Sequence, residues 1–243
     1  MVLTKIQKYT IDLPGFENLE FTESSEDNLD ISDAVKFAER EKSILQSLPE
    51  AAAFRIEADG KYDANRWQVT RSTPVYFKAD GKIYVAVDHS PDSKKNIVLA
   101  RAQEGYNVNK AGRECILDKK DKHIARILKE AEKNGNIAEI VNDELELSTQ
   151  LKNGKSEFGQ NKTAQMLLGN VSEPYAKWLK KQGYQNGFIY LANVSKLDNL
   201  LTANNTVVRS GGLCNDDCVV DANCNFSNYG RARGVRSNAK NSP

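Results

Sequence analysis

The sequence GGLCNDDCVVDANCNFSNYGRARGVR, from Gly211 to Arg236, differs in composition from the rest of the chain. It contains three cysteines, many asparagines and aspartates, single aromatic residues and an arginine–glycine close. Its apolar residues follow neither the helical nor the strand period, which is typical of a loop. How this stretch arose therefore decides how the fold and function of the whole chain are interpreted.

Five residue types are missing from the same part of the chain. Lys, Glu, Gln, Met and Trp supply 23, 17, 9, 2 and 2 of the 243 residues, yet none of them occurs from Thr202 to Ala239. At the chain average, about eight would be expected in those 38 positions. No codon for these five types ends in a pyrimidine, whereas Asn is encoded by two adenines followed by a pyrimidine, and the other frequent types arise by changing those adenines. The pattern indicates substitution at adenines.

Two short motifs flank this stretch and carry a resemblance. Arg209-Ser210-Gly211-Gly212 is followed about two dozen residues later by Arg233-Gly234-Val235-Arg236. The pair resembles the C-terminal signature of the C-type lectin-fold variable proteins of diversity-generating retroelements, in the formylglycine-generating-enzyme-like subgroup but without its catalytic residues. In that family a reverse transcriptase copies a template repeat with adenine-directed errors into the gene, and the fold displays the diversified residues to a ligand.

The resemblance implies two sets of residues. The exposed, ligand-binding set is Cys214, Asn215, Asp216, Asp217, Cys218, Asp221, Ala222, Asn223, Asn225, Ser227, Asn228 and Tyr229. The scaffold set is Arg209, Gly211, Gly212, Arg233, Gly234 and Arg236, with Val207, Val208 and Val235 as buried neighbours. Gly211 and Gly212 are expected to form a tight turn that needs positive φ. The ligand is an unidentified protein or surface, and no cofactor or metal is implied.

Two alternatives use the same stretch differently. Cys214, Cys218 and Cys224 could act as a metal-binding or redox cluster, although their C-x3-C-x5-C spacing matches neither the zinc nor the ferredoxin patterns. The arginine-rich close, with Arg231, Arg233 and Arg236, could instead contact nucleic acid phosphates.

Enzymatic motifs are absent from the sequence. There is no phosphate-binding glycine loop, no dinucleotide fingerprint, no H-E-x-x-H and no G-x-S-x-G. The chain has only two histidines, His89 and His123, so a multi-histidine metal centre is excluded. We therefore expect a binding protein rather than an enzyme.

Composition predicts an ordinary soluble domain. The chain has 243 residues, 40% of them hydrophobic and 28% charged, with a formal net charge of +1. No apolar run approaches the roughly 20 residues of a membrane helix, and the N-terminus lacks the apolar core of a signal peptide. These features predict cytoplasmic synthesis. An oligomer would be compatible with a surface that gains avidity from several weak sites.

The remaining sequence predicts an α+β fold with antiparallel strands and two or more helices, a C-type lectin-like fold that is divergent or carries added N-terminal elements. Residues 1–60 are expected to form a helical or irregular segment packed on a domain over 61–243, whose variable region spans about 205–236. The acidic residues 21–33 are expected to be a solvated loop. Three helices are predicted: one from Ser32 to Leu48 that Pro49 ends, one that Gly135 closes, and one that Ser172 caps and Gly183 ends. The predicted strands are a hairpin with its turn at Asp80-Gly81 and two further strands at 187–194 and 205–212.

Overall fold

A computed structural model describes residues 9–10, 13–17, 19–59, 61, 64–92, 94–103, 115–214, 219–224 and 230–237. Helices pack against three β-sheets in which nearly all neighbouring strands run antiparallel. The predicted α+β class is confirmed.

The first sheet is built around the predicted hairpin. Thr73–Ala79 and Lys82–Asp88 pair antiparallel along their whole length, and Asp80 (φ 49°) and Gly81 (φ 75°) form the turn between them. Positive φ at both turn residues matches the right-handed twist of the strands, which confirms the hairpin prediction. In spatial order the strands are β7 (Cys115–Asp118), β11 (Asn205–Val208), β5 (Thr73–Ala79), β6 (Lys82–Asp88) and β8 (Ile137–Glu139).

The second sheet contains the predicted variable region. Its strands, in spatial order, are β4 (Gln68–Val69), β12 (Ser210–Leu213), β13 (Val220–Cys224), β10 (Asn186–Tyr190) and β9 (Glu144–Ser148). The β10–β13 pair is parallel, and the other pairs are antiparallel.

The third sheet joins the two ends of the chain and corrects one prediction. It runs β1 (Tyr9–Thr10), β2 (Leu19–Ser24), β14 (Arg233–Ser237) and β3 (Ile44–Leu45). The acidic stretch was expected to be a solvated loop, but it begins inside β2, where Phe21 and Thr22 are buried. Residues 26–28 are exposed and lie outside any helix or strand, as expected. For residues 21–24 the expectation was wrong, because β2 pairs with β14, about two hundred residues later in the chain, and local composition carries no information about such a partner.

The helix predicted from Ser32 to Leu48 is two helices separated by a strand. The first, α1 (Ile31–Arg40), begins after Asp30, whose side chain accepts a hydrogen bond from the Asp33 amide, so Ser32 is not the cap. The second, α2 (Leu48–Ala58), begins at a capping box formed by Ser47 and Glu50. Pro49 therefore lies in the first turn of a helix rather than ending one, a position where its missing N–H has no intrahelical partner to lose.

The other helices agree more closely with the sequence. They are α3 (Ile97–Gln103), α4 (Lys122–Asn134), α5 (Glu157–Gln160), α6 (Lys162–Leu168), α7 (Ser172–Lys181) and α8 (Val194–Leu200). Gly135 (φ 67°) closes α4 as predicted, and Gly183 (φ 93°) follows the end of α7. Ser172 is not a side-chain cap, because α7 continues directly from a 3-10 turn over Gly169–Val171.

Residues from the N-terminal quarter of the chain belong to the same hydrophobic core as the rest. Phe21, Leu48 and Phe54 pack in one cluster with Tyr76 and Ile189. A second cluster lies between α1, α3, α4 and the hairpin sheet. The division of the chain at residue 60 stays a prediction.

Candidate functional site

The predicted variable region is framed by buried strand residues. Val207, Val208 and Val235 are at most 4% exposed, so they are buried as expected, while their role as scaffold stays a prediction. Strands β12 and β13 pair up to Leu213 and Val220, and the Cys214 amide donates to the Val219 carbonyl oxygen at 2.9 Å. The residues that flank segment 215–218 are therefore tied to each other by backbone hydrogen bonds.

Gly211 and Gly212 have a different role from the predicted one. Both lie inside strand β12 rather than in a tight turn. A Cβ on Gly211 would lie 2.6 Å from Leu48 Cδ1, and one on Gly212 would lie 3.0 Å from the Gln68 carbonyl oxygen. Glycine is required here because neighbouring groups approach the strand closely, not because of its backbone angles.

A buried arginine holds the start of the variable region. Arg55, on α2, donates through Nη1 to the Cys214 carbonyl oxygen at 2.8 Å and to the Tyr175 hydroxyl at 3.2 Å. Its Nε donates to the Ala64 carbonyl at 2.9 Å. One side chain thus ties the end of β12 to helices α2 and α7.

A buried tyrosine connects two sheets at the same place. The Tyr76 hydroxyl donates to the Ala222 carbonyl oxygen at 2.8 Å and accepts from the Ala192 amide at 3.2 Å. Burial raises the pKa of this phenol, so the hydroxyl keeps its proton and stays a donor. Strand β13 is thereby fixed to the hairpin sheet and to the segment after β10.

Three residues predicted to be exposed are buried. Cys214, Asp221 and Ala222 are 9%, 8% and 0% exposed. Asp221 and Ala222 are buried because β13 is an inner strand with neighbours on both sides, and Ala222 packs in the main core. Cys214 directly follows β12, and its carbonyl accepts from the buried Arg55. Asn223 is half-buried. The other members of the predicted ligand-binding set lie outside the described residues: Asn215, Asp216, Asp217, Cys218, Asn225, Ser227, Asn228 and Tyr229.

A polar cluster lies along β13. The Asp221 carboxylate accepts from the Asn223 amide at 2.6 Å and from the Cys224 side chain, and it interacts electrostatically with Arg209. Arg209 Nε donates to Asn223 Oδ1 at 3.2 Å. Burial raises the pKa of Asp221 above its usual range despite these contacts. Arg209 and Asn223 also line a small cleft of about 80 Å³.

The arginine-rich close makes contacts inside the protein. Arg233 is buried, stacks on Phe54 with 4.0 Å from its guanidinium carbon to the ring centroid, and donates to the Thr22 carbonyl. Arg236 pairs with Glu20, and Arg231 donates to the Ser25 carbonyl at 2.7 Å. These guanidinium groups stabilise the sheet that joins the chain ends, so the geometry does not favour a nucleic-acid interface.

The cysteines do not form a cluster in the part of the chain that is described. Cys214 and Cys224 are buried, and no disulfide joins either of them to Cys115. Outside the masked segments, no group of three or more His, Cys, Asp or Glu side chains could hold a metal ion. Cys218 lies outside the described residues, and nothing in the described part of the chain favours the three-cysteine alternative.

A serine and a histidine meet in the core, but in a structural arrangement. Ser72 Oγ lies 2.7 Å from His89 Nδ1, and His89 Nε2 lies 3.0 Å from the Met166 carbonyl oxygen. The carbonyl requires a proton on Nε2, so Nδ1 accepts from the hydroxyl. Ser72 Oγ also accepts from the Leu48 amide at 2.8 Å and is completely buried, which leaves no access for a substrate.

Sequence reasoning missed the residues that support the site from outside it. Arg55 and Tyr76 are far from the variable region in the chain and contact it through hydrogen bonds. Lys196 lies shortly before the region in the chain and lines the same cleft as Arg209 and Asn223. Arg55 carried one weak signal, because it directly follows the apolar run Ala51–Phe54, where a charged side chain that is buried needs a partner.

Comparison with known proteins identifies the fold. The chain is similar to a solved structure from Nanoarchaeota in which the C-type lectin fold accommodates massive sequence variation. The two share 14% sequence identity with a TM-score of 0.58, over 97% of this chain and 100% of that chain. No protein-family model matches the chain, and none of the curated proteins does. The chain therefore has the C-type lectin fold, as predicted, while its place in the formylglycine-generating-enzyme-like subgroup stays a prediction.

The helices also bear on membrane association. Among the described residues, no helix is long and apolar enough to cross a bilayer.

Proposed function

We propose that this chain is a ligand-binding protein whose C-terminal surface is diversified by adenine-directed mutagenic retrohoming. The observation that carries the proposal is the absence of Lys, Glu, Gln, Met and Trp from Thr202 to Ala239. Selection for a particular ligand would have no reason to avoid those five types together, whereas substitution at adenines in pyrimidine-ending codons excludes all of them.

The fold supports the proposal. A structure with the same fold, from Nanoarchaeota, accommodates massive sequence variation. The same tolerance in this chain would let one scaffold present many different surfaces, because binding residues on loops can change while the elements beneath them stay constant.

The geometry supports it as well. The segment 215–218 begins and ends at the hydrogen-bonded pair Cys214 and Val219. The segment 225–229 begins after the buried Cys224 and ends at Gly230, whose amide and carbonyl both bond to Leu29 at 3.1 and 2.8 Å. The proposed display set consists of these two segments with the half-buried Asn223. The buried Cys214, Asp221 and Ala222 belong with the scaffold.

The test is an exchange of the two segments. Residues 215–218 and 225–229 are replaced by other types with pyrimidine-ending codons, and the free energy of unfolding is measured by urea denaturation. If the two segments are display segments, as proposed, most exchanges should stay within about 1 kcal/mol of the parent, because substitutions at displayed positions change stability little.

Ala222→Asn is the matched control for this exchange. It introduces an allowed residue type at a buried position of the same region, and we expect it to cost about 2–4 kcal/mol because it places an amide in the apolar core. The proposal is wrong if exchanges within the two segments destabilise the protein as much as this control does.

A further inference from the structure

A narrow cleft opens beside the predicted variable region. Its volume is about 80 Å³, a few times the roughly 30 Å³ that one water occupies in the liquid. The lining residues come from the segment after β10, from α8, from the single residue between β11 and β12, and from β13: Ala192, Asn193, Lys196, Leu197, Arg209 and Asn223. The space is enough for a group of a few heavy atoms.

The lining is cationic. Arg209 and Lys196 line the cleft, and none of its described lining residues is a carboxylate. Within the described ranges, carboxylates outside the cleft also act on its lining. Asp221 interacts electrostatically with Arg209, and Asp143 accepts from Asn193 Nδ2 at 2.7 Å.

The side-chain amides are held in fixed orientations. Asn223 Oδ1 accepts from Arg209 Nε at 3.2 Å, so the Nδ2 end of this amide presents its two donors away from the guanidinium. Asn193 Oδ1 accepts from the Lys196 amide at 2.9 Å, which fixes the start of α8. The polar groups lining the cleft are therefore mainly hydrogen-bond donors in a constrained arrangement.

We propose that this cleft binds an oxyanion, the carboxylate or phosphate group of a larger ligand. Guanidinium and ammonium groups form their strongest hydrogen bonds with such oxygens, and a half-enclosed position strengthens them further. Arg209 and Lys196 lie outside the proposed display set, so they would supply a constant contact beside a changing surface. The constant-contact role rests on the proposed function, but oxyanion binding itself does not.

The experiment titrates the protein with inorganic phosphate, and separately with acetate, at constant ionic strength. Amide and side-chain resonances of Asn223 and Lys196 are followed by ¹H–¹⁵N NMR. We expect saturable shifts at these residues, with a dissociation constant in or below the millimolar range. Tighter binding of phosphate assigns a phosphate-bearing ligand, and tighter binding of acetate assigns a carboxylate-bearing one.

Two variants test the geometry. Lys196→Ala removes one cation and should weaken binding about tenfold, the equivalent of one charge-assisted hydrogen bond. Asn223→Asp keeps the acceptor for Arg209 but adds a negative charge, and it should abolish binding. The controls are Lys177→Ala and Asn199→Asp, which make the same chemical changes at exposed positions that do not line the cleft and should bind like the parent.

The inference is overturned if neither anion gives saturable shifts, or if the cleft variants bind as tightly as their controls. Exchange of segment 215–218 separates this result from the proposed function. Phosphate or acetate binding that survives the exchange does not depend on segment 215–218, whether or not the display segments are ever diversified.

Discussion

Replacing Tyr76 by phenylalanine should destabilise the protein more than its small chemical change suggests. The Tyr76 hydroxyl is the common partner of the Ala222 carbonyl and the Ala192 amide, at 2.8 and 3.2 Å. The ring is completely buried, so water cannot replace the lost hydroxyl. Phenylalanine keeps the ring packing and removes only these two contacts.

The expected loss follows from the two groups left behind. A buried polar group that loses its hydrogen-bond partner costs about 1–3 kcal/mol of stability. The two groups left behind are the Ala192 amide and the Ala222 carbonyl, and the carbonyl loses less because its second lone pair is unaffected. The expected total is about 2–4 kcal/mol. That is a large fraction of the roughly 5–15 kcal/mol by which domains are stable.

Urea denaturation followed by fluorescence measures this loss. Tyr84→Phe is the matched control, because Tyr84 lies in the paired strand β6 and is partly exposed, and its substitution should change the free energy of unfolding by less than about 0.5 kcal/mol. If Tyr76→Phe also changes it by less than about 0.5 kcal/mol, the hydroxyl does not fix β13 to the hairpin sheet and the argument for a rigid scaffold fails.

Three further predictions concern the core and the polar cluster. Burial lowers the pKa of His89 below its usual 6.5, so the unfolded chain binds a proton at a higher pH than the folded chain does. The free energy of unfolding should therefore fall as pH drops below about 6.5. A His89→Gln variant whose free energy of unfolding falls equally would contradict this. Gly234→Ala places a Cβ 1.9 Å from Ser43 Oγ and should lower the free energy of unfolding by about 1–3 kcal/mol. Adding Ser43→Ala should recover part of this loss, and an unchanged melting temperature in the single variant would refute the prediction. Because burial raises the pKa of Asp221, the folded state disfavours the charge of this carboxylate. Asp221→Asn keeps an acceptor for the backbone amide of Asn223 and should leave the free energy of unfolding at about pH 7 unchanged or higher. A loss above about 1 kcal/mol in urea denaturation would show that the charge is needed.

Local chemistry made some elements predictable. The hairpin follows from Asp80-Gly81 between two apolar runs, and the end of α4 follows from Gly135, because each signal acts within a few residues of itself. The C-type lectin fold was predicted from the motifs around Gly211 and Gly234, which are required by close packing.

Other features depend on partners far along the chain. The strand nature of residues 19–24 comes from pairing with β14, and the burial of Asp221 and Ala222 comes from β10 and β12 on either side of their strand. The break between α1 and α2 was missed because the apolar side chains of Ile44, Leu45 and Leu48 fit a helical face, while Ile44 and Leu45 in fact pair with β14. No local pattern encodes these partners.

The central claim is that the C-terminal surface is diversified at adenines, and the DNA around the gene tests it most directly. We expect a nearby near-copy of codons 205–236 that differs from them only where it carries adenines, next to a gene for a reverse transcriptase. The absence of such a repeat from the surrounding DNA, together with codons in this region that end in purines as often as elsewhere in the gene, would contradict the claim.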